Sequence, residues 1–101
     1  MKTKRVSIEV SESSGSVSAE LITAEDMEFL YVLAHGAGAG MNHPFMQRLS
    51  VELISRKIGT LRYNFPYMEK GGKRPDVPAV AEKTVLQAIT YAAGAFPNIR
   101  L

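Results

Sequence analysis

The residues with the most direct chemical reading lie in one run, His35-Gly36-Ala37-Gly38-Ala39-Gly40, between an apolar stretch and a segment of helical spacing. Glycine and alanine leave backbone N–H groups open to a ligand, and the N-terminal end of a following helix favours negative charge. Such a loop serves one of two chemistries: it cradles a phosphate, or it holds the oxyanion of a tetrahedral acyl intermediate. The dinucleotide fingerprint G-x-G-x-x-G fails in both registers, because its third glycine falls on Met41 counted from Gly36 and on His43 counted from Gly38. No G-x-x-x-x-G-K-[ST] run occurs either. The oxyanion chemistry fits these residues better, and a non-catalytic module that binds an anion or a nucleotide is the alternative. His35 and His43 have no carboxylate in the loop between them, and the chain has no cysteine, so neither a metal site nor a thiol nucleophile is expected.

Around the loop, each side chain has a structural role to weigh against a chemical one. His35 follows an apolar run directly and is expected to tie the loop down through its ring nitrogens. Gly36 and Gly40 supply the loop's backbone freedom. His43, at the start of a helix, is read as a cap or as part of a substrate pocket. Tyr67 and Met68 lie beyond Pro66 and are the substrate-facing candidates, whereas packing accounts equally well for Tyr63 and Phe65. Lys70, Lys73 and Arg74 form a short basic group, either solvated or touching an anionic ligand. Asp76 is expected to be the N-cap of a second helix. Ser50 and Ser55 fall inside a helix with no base beside them.

The elements that must position these groups follow from periodicity. Val6, Ile8 and Val10 alternate, as do Val17, Ala19 and Leu21, with a polar turn at 11–16, which predicts a hairpin. Residues 29–34 are apolar on both faces and predict a central strand covered on both sides. A helix opening at Pro44 carries Met46, Leu49, Leu53 and Ile54 on one face, and Gly59 is placed as its left-handed C-terminal residue. Residues 60–65 form another strand, 66–77 a loop, and a second helix presents Ala81, Val85, Ala88, Ile89 and Ala92 before ending near Gly94. Residues 99–101 start a further strand. The expected fold is α/β: an N-terminal β-hairpin followed by a parallel βαβα(β) unit, all in a single domain over residues 1–101.

Composition agrees with a globular chain: 101 residues, 46% hydrophobic and 22% charged, with a net charge of +2. The cations are scattered, which argues against a nucleic-acid partner. No apolar run approaches the ~20 residues of a membrane span, and the charged N-terminus is followed by a strand pattern rather than an apolar signal core. A cytoplasmic protein with no membrane partner is expected.

The segment from Leu33 to Gly40 resembles the His-Gly loop that follows the third strand of α/β-hydrolases. The wider stretch, His35 to Met46 and then Arg62-Tyr63-Asn64-Phe65-Pro66-Tyr67, resembles the dienelactone-hydrolase-like branch of that superfamily. The resemblance runs over nearly the whole chain and implies a serine-type hydrolase of ester, thioester or lactone bonds, with a small acyl compound as substrate and no cofactor. It places half of the oxyanion hole on the backbone N–H of Ala37, with Gly38 as its neighbour. It also implies a nucleophile on a G-x-S-x-G elbow after the fifth strand, then an acid and a histidine. No G-x-S-x-G occurs in residues 1–101, so the chain reads as the N-terminal part of such a domain, inactive by itself. An unpaired strand edge is expected near 60–65 and 99–101, guarded by Arg62 and Arg100, through which the chain would form a homo-oligomer or exchange C-terminal elements. A short oligomerising protein without catalysis is a further alternative.

Overall fold

The computed structural model describes residues 1–36 and 39–101. Strand β1 (Lys2–Ser11) and strand β2 (Gly15–Thr23) form the expected antiparallel hairpin, with Val6 opposite Ala19 and Ile8 opposite Val17. Gly15, at φ 76°, makes the left-handed turn that starts β2. Strand β3 (Phe29–Ala34) leads through the glycine loop to helix α1 (Pro44–Ile54), and strand β4 (Ile58–Tyr63) follows. A one-turn helix α2 (Pro66–Glu69) and the long helix α3 (Pro78–Ala95) complete the chain. Helix α2 lies in the segment expected to be loop, where Pro66 at its first position starts the turn.

The sheet order is β1-β2-β4-β3, with β4 antiparallel to β2 and parallel to β3. Residues 60–65 are therefore not an edge, which corrects the expectation above. Ala19 to Ile22 of β2 pair one side of β4 and Phe29 to Ala34 pair the other. The edges are β1 and β3, and residues Phe29 and Tyr31 of β3 are 42% and 49% exposed. A fifth strand begins there as expected: Arg100 bridges Phe29 in parallel, and Leu30 N–H donates to the Arg100 carbonyl at 2.8 Å.

Alternation sorts the side chains of the sheet. Ile8, Val10, Val17, Ala19, Leu21, Leu30, Leu61 and Tyr63 pack with Ala88 and Ala92 of α3 into one core. Thr84 completes the buried stripe of α3 and returns its hydroxyl to the Val80 carbonyl at 2.8 Å, while Ile89, expected inward, is 41% exposed. On the opposite face α1 covers β4 and β2 with Met46 and Ser50 buried, and Leu49, Leu53 and Ile54 half-buried.

Two expected caps are displaced, each for a local reason. The left-handed residue after α1 is Lys57, at φ 66°, not Gly59. Gly59 lies within β4, where a Cβ would come to 2.7 Å from Met27 Sδ and 2.9 Å from the Ile22 carbonyl oxygen. The N-cap of α3 is Val77, with no side-chain cap, because Pro78 keeps the residue before it extended (ψ 154°) and starts the helix itself. Asp76 is freed for a different bond.

Candidate functional site

Strands β3 and β4 run parallel and end together, at Ala34 opposite Tyr63. Beyond those ends stand the glycine loop, α2 and the N-terminus of α3. In open α/β sheets the carboxyl ends of the strands are where ligands bind.

His35 stands at the start of the loop, bonded through both ring nitrogens. Buried at 7% exposure, it accepts the Phe65 N–H at Nε2 (3.1 Å) and donates from Nδ1 to the Gly36 carbonyl (2.7 Å). These bonds fix the tautomer with the proton on Nδ1. Its ring meets Phe65 edge-on at 4.9 Å and Tyr67 at 6.0 Å.

The far end of the loop is held by β4. Gly40 takes φ 77°, and a Cβ there would press on Met68 Cγ at 3.3 Å. The next residue, Met41, is 1% exposed and bonded through both of its backbone groups. Its N–H donates to Asn64 Oδ1 (3.0 Å), and its carbonyl accepts from Arg62 Nη1 (3.1 Å). Arg62 is 1% exposed and pairs with Glu20 of β2, which also meets Arg5. Asn64 donates to Glu69, whose carboxylate accepts the N–H and the hydroxyl of Ser18 at 2.7 and 2.8 Å. Arg62 is thus a buried support and not the guard of a strand edge.

Sequence reasoning passed over Arg62, Asn64, Glu20 and Glu69 as site supports, although a signal was present. Thr60, Arg62 and Asn64 alternate with Leu61, Tyr63 and Phe65, so three polar groups must share one face of the strand.

Partial burial opposes the Glu69 carboxylate, but hydrogen bonds from the Ser18 N–H, the Asn64 amide and the Ser18 hydroxyl, with the Arg5 charge, outweigh it and hold its pKa below the ordinary 4.5. A lowered carboxylate pKa gives stability that is complete above the ordinary value and is lost as pH falls through the folded one. The wild-type chain is therefore expected to exceed Glu69→Gln in urea midpoint at pH 7. That gap should close as pH falls below 4.5, and a gap unchanged at pH 3 would contradict the bonding described.

Of the remaining expected site residues, Tyr67 joins His35 at a partly enclosed cavity of about 160 Å³, lined also by Phe65, Pro75, Asp76 and Ala81. Asp76 accepts the Tyr67 N–H at 3.1 Å, serving the short helix α2 instead of capping α3. His43 and Met68 are not among the cavity's lining residues. His43 is the exposed N-cap of α1, with Nδ1 accepting the Phe45 N–H at 3.2 Å, and Met68 packs beneath Gly40. Tyr63 is core, and burial raises its hydroxyl pKa. The oxyanion candidates Ala37 and Gly38 lie outside the described residues. Among the described residues no three His, Asp or Glu side chains are grouped to hold a metal, and no helix is long and apolar enough to cross a membrane.

A mixed sheet with helices on both faces, with a glycine-rich segment between a parallel strand and a helix, defines an α/β protein whose candidate site lies at the strand ends. The family model for the alpha/beta hydrolase domain matches residues 27–97, and the chain belongs to that family. Among solved structures, it is similar to a candidate alpha/beta hydrolase of unknown function from Agrobacterium tumefaciens. The TM-score is 0.77 at 17% identity, over 94% of this chain and 44% of that one. The chain thus spans less than half the length of that protein. No curated protein matches it.

Proposed function

We propose that the chain supplies the oxyanion loop of a serine-type hydrolase acting on ester, thioester or lactone-type acyl bonds. The observation that carries this reading is the clamping of the loop on both sides. His35 fixes the Gly36 carbonyl, while Arg62 and Asn64 fix both polar groups of the Met41 backbone. Fixed flanks of this kind lower the reorganisation that an oxyanion site needs when charge develops on a carbonyl oxygen, and the resemblance assigns the hole to the backbone N–H groups of Ala37 and Gly38. The second half of the hole, the nucleophilic serine, the acid and the histidine would come from residues other than these, since 1–101 contains no G-x-S-x-G. The substrate is a small acyl compound, with no cofactor. Association of two copies through the part of the β3 edge beyond the Arg100 bridge, residues 31–34, is compatible with the exposed Tyr31.

The purified 101-residue chain is expected to hydrolyse short p-nitrophenyl esters no faster than buffer. Turnover abolished by a substitution within the chain would overturn that assignment. Coding sequence past the Leu101 codon should continue the fifth strand into G-x-S-x-G; a stop codon with no such motif in any downstream frame would remove the serine-hydrolase reading. Saturable stabilisation by nucleotides but not by acyl phosphonates would instead favour a non-catalytic binding module.

A further inference from the structure

The cavity beside His35 has a use that the oxyanion loop does not explain. Its walls come from four elements: His35 and Phe65 at the ends of β3 and β4, Tyr67 on α2, and Ala81 on α3, with Pro75 and Asp76 between the two helices. Two of the lining residues, His35 and Tyr67, are held before any ligand arrives. His35 is held through both ring nitrogens. The backbone of Tyr67 is held on both sides, its N–H by Asp76 Oδ2 at 3.1 Å and its carbonyl by the Gly72 N–H at 2.8 Å. Gly71, at φ 75°, turns the chain back so that Gly72 can reach it. The space is thus built into the fold.

We propose that this cavity is a binding subsite for a small, neutral, apolar group of about the size of a benzene ring. Within the hydrolase reading above, on which this part rests, it receives the side chain of the acyl substrate. Size is the first argument. Its volume is about 160 Å³, and an engineered apolar cavity of about 150 Å³ in another protein takes up benzene. Chemistry is the second. Both His35 nitrogens are committed to protein partners and Asp76 already accepts the Tyr67 N–H, so rings and carbon make up most of what the wall offers a guest. The rings of His35, Phe65 and Tyr67 offer edges and faces to a second aromatic group. Charge is the third. The Asp76 carboxylate lies in the wall and disfavours an anion there.

Titration of the chain with benzyl alcohol, followed by amide and aromatic NMR shifts, is expected to saturate with the largest changes at His35, Phe65, Tyr67 and Ala81. Benzoate should bind more weakly. Ala81→Leu, which fills the space, should weaken benzyl alcohol binding at least about tenfold, whereas Ala93→Leu, on an exposed position of the same helix, should leave it unchanged. Shifts that do not saturate, that centre elsewhere in the wild-type chain, or that survive Ala81→Leu would overturn the subsite. Tighter binding of benzoate would overturn its neutral character. None of these readouts depends on turnover, so the subsite and the hydrolase reading fail separately. Binding at the cavity in a protein whose gene carries no nucleophile elbow would leave the subsite standing without the acyl substrate.

Discussion

Replacing Glu20 by leucine is expected to lower the stability of the chain by about 3–5 kcal/mol, because it strands a guanidinium with nowhere to go. Arg62 is 1% exposed and has two partners, the Glu20 carboxylate and the Met41 carbonyl; its Nε is buried with no partner among the described residues. Thr60 Oγ1, on the same face of β4, is in the same position. The arginine is therefore under-satisfied even with its acid in place, and losing the acid leaves a buried charge that the Met41 carbonyl alone cannot compensate. Glu20 keeps some solvent contact, with 18% of its side chain exposed, which places Arg62→Leu below Glu20→Leu in cost. The double variant Glu20→Leu/Arg62→Leu should regain most of the loss, since replacing both members of a buried pair with apolar groups is often neutral. Urea midpoints of the two single variants and the double variant make a thermodynamic cycle. A Glu20→Leu variant within about 1 kcal/mol of wild type would show that the pair carries no such energy. For a domain of this size a loss of 3 kcal/mol corresponds to on the order of 15 °C in Tm.

What the sequence carried, and what it withheld, divides along the range of the interactions. Local signals read correctly: the alternation of Val6, Ile8 and Val10 and of Val17, Ala19 and Leu21 became the hairpin, and Pro44 opened α1 behind His43. The family was legible too, because the His-Gly loop and the run from Arg62 to Tyr67 lie in a fixed order within the matched residues. The order of strands was not legible. Nothing local states that β4 slides between β2 and β3, so residues 60–65 read as an edge and Arg62 as its guard. The same blindness affected Asp76. The sequence Asp76-Val77-Pro78 offers an N-cap one residue too early, and only the fold brings the Tyr67 N–H within reach of the carboxylate. At Gly59 two demands competed. Close approach of Met27 and Ile22 required glycine inside the strand, and Lys57 absorbed the left-handed turn instead. The cavity was half visible: Tyr67 was singled out from sequence, but Pro75 and Ala81 reach it only through the return of α3 over the sheet.

The second large effect is expected at His35. Substitution by phenylalanine keeps a ring of similar size against Phe65 and Tyr67 and removes only the two hydrogen bonds. The Phe65 N–H then loses its acceptor in a part-buried position, and the Gly36 carbonyl loses one of its two donors and keeps the Ala39 N–H. An unsatisfied buried donor costs about 1–3 kcal/mol and an ordinary lost bond about 1 more, giving about 2–4 kcal/mol together. His35→Ala should cost more, since it also opens space beside the cavity. Site-resolved amide exchange separates this from general loosening. The Phe65 amide should exchange faster in His35→Phe by more than the change in global stability explains, whereas the Met41 amide, held independently by Asn64, should follow global stability alone. Equal acceleration at both would mean that the loop is held as one unit. A His35→Phe variant as stable as wild type, with the Phe65 amide unchanged, would show that the ring's packing and not its nitrogens anchors the loop.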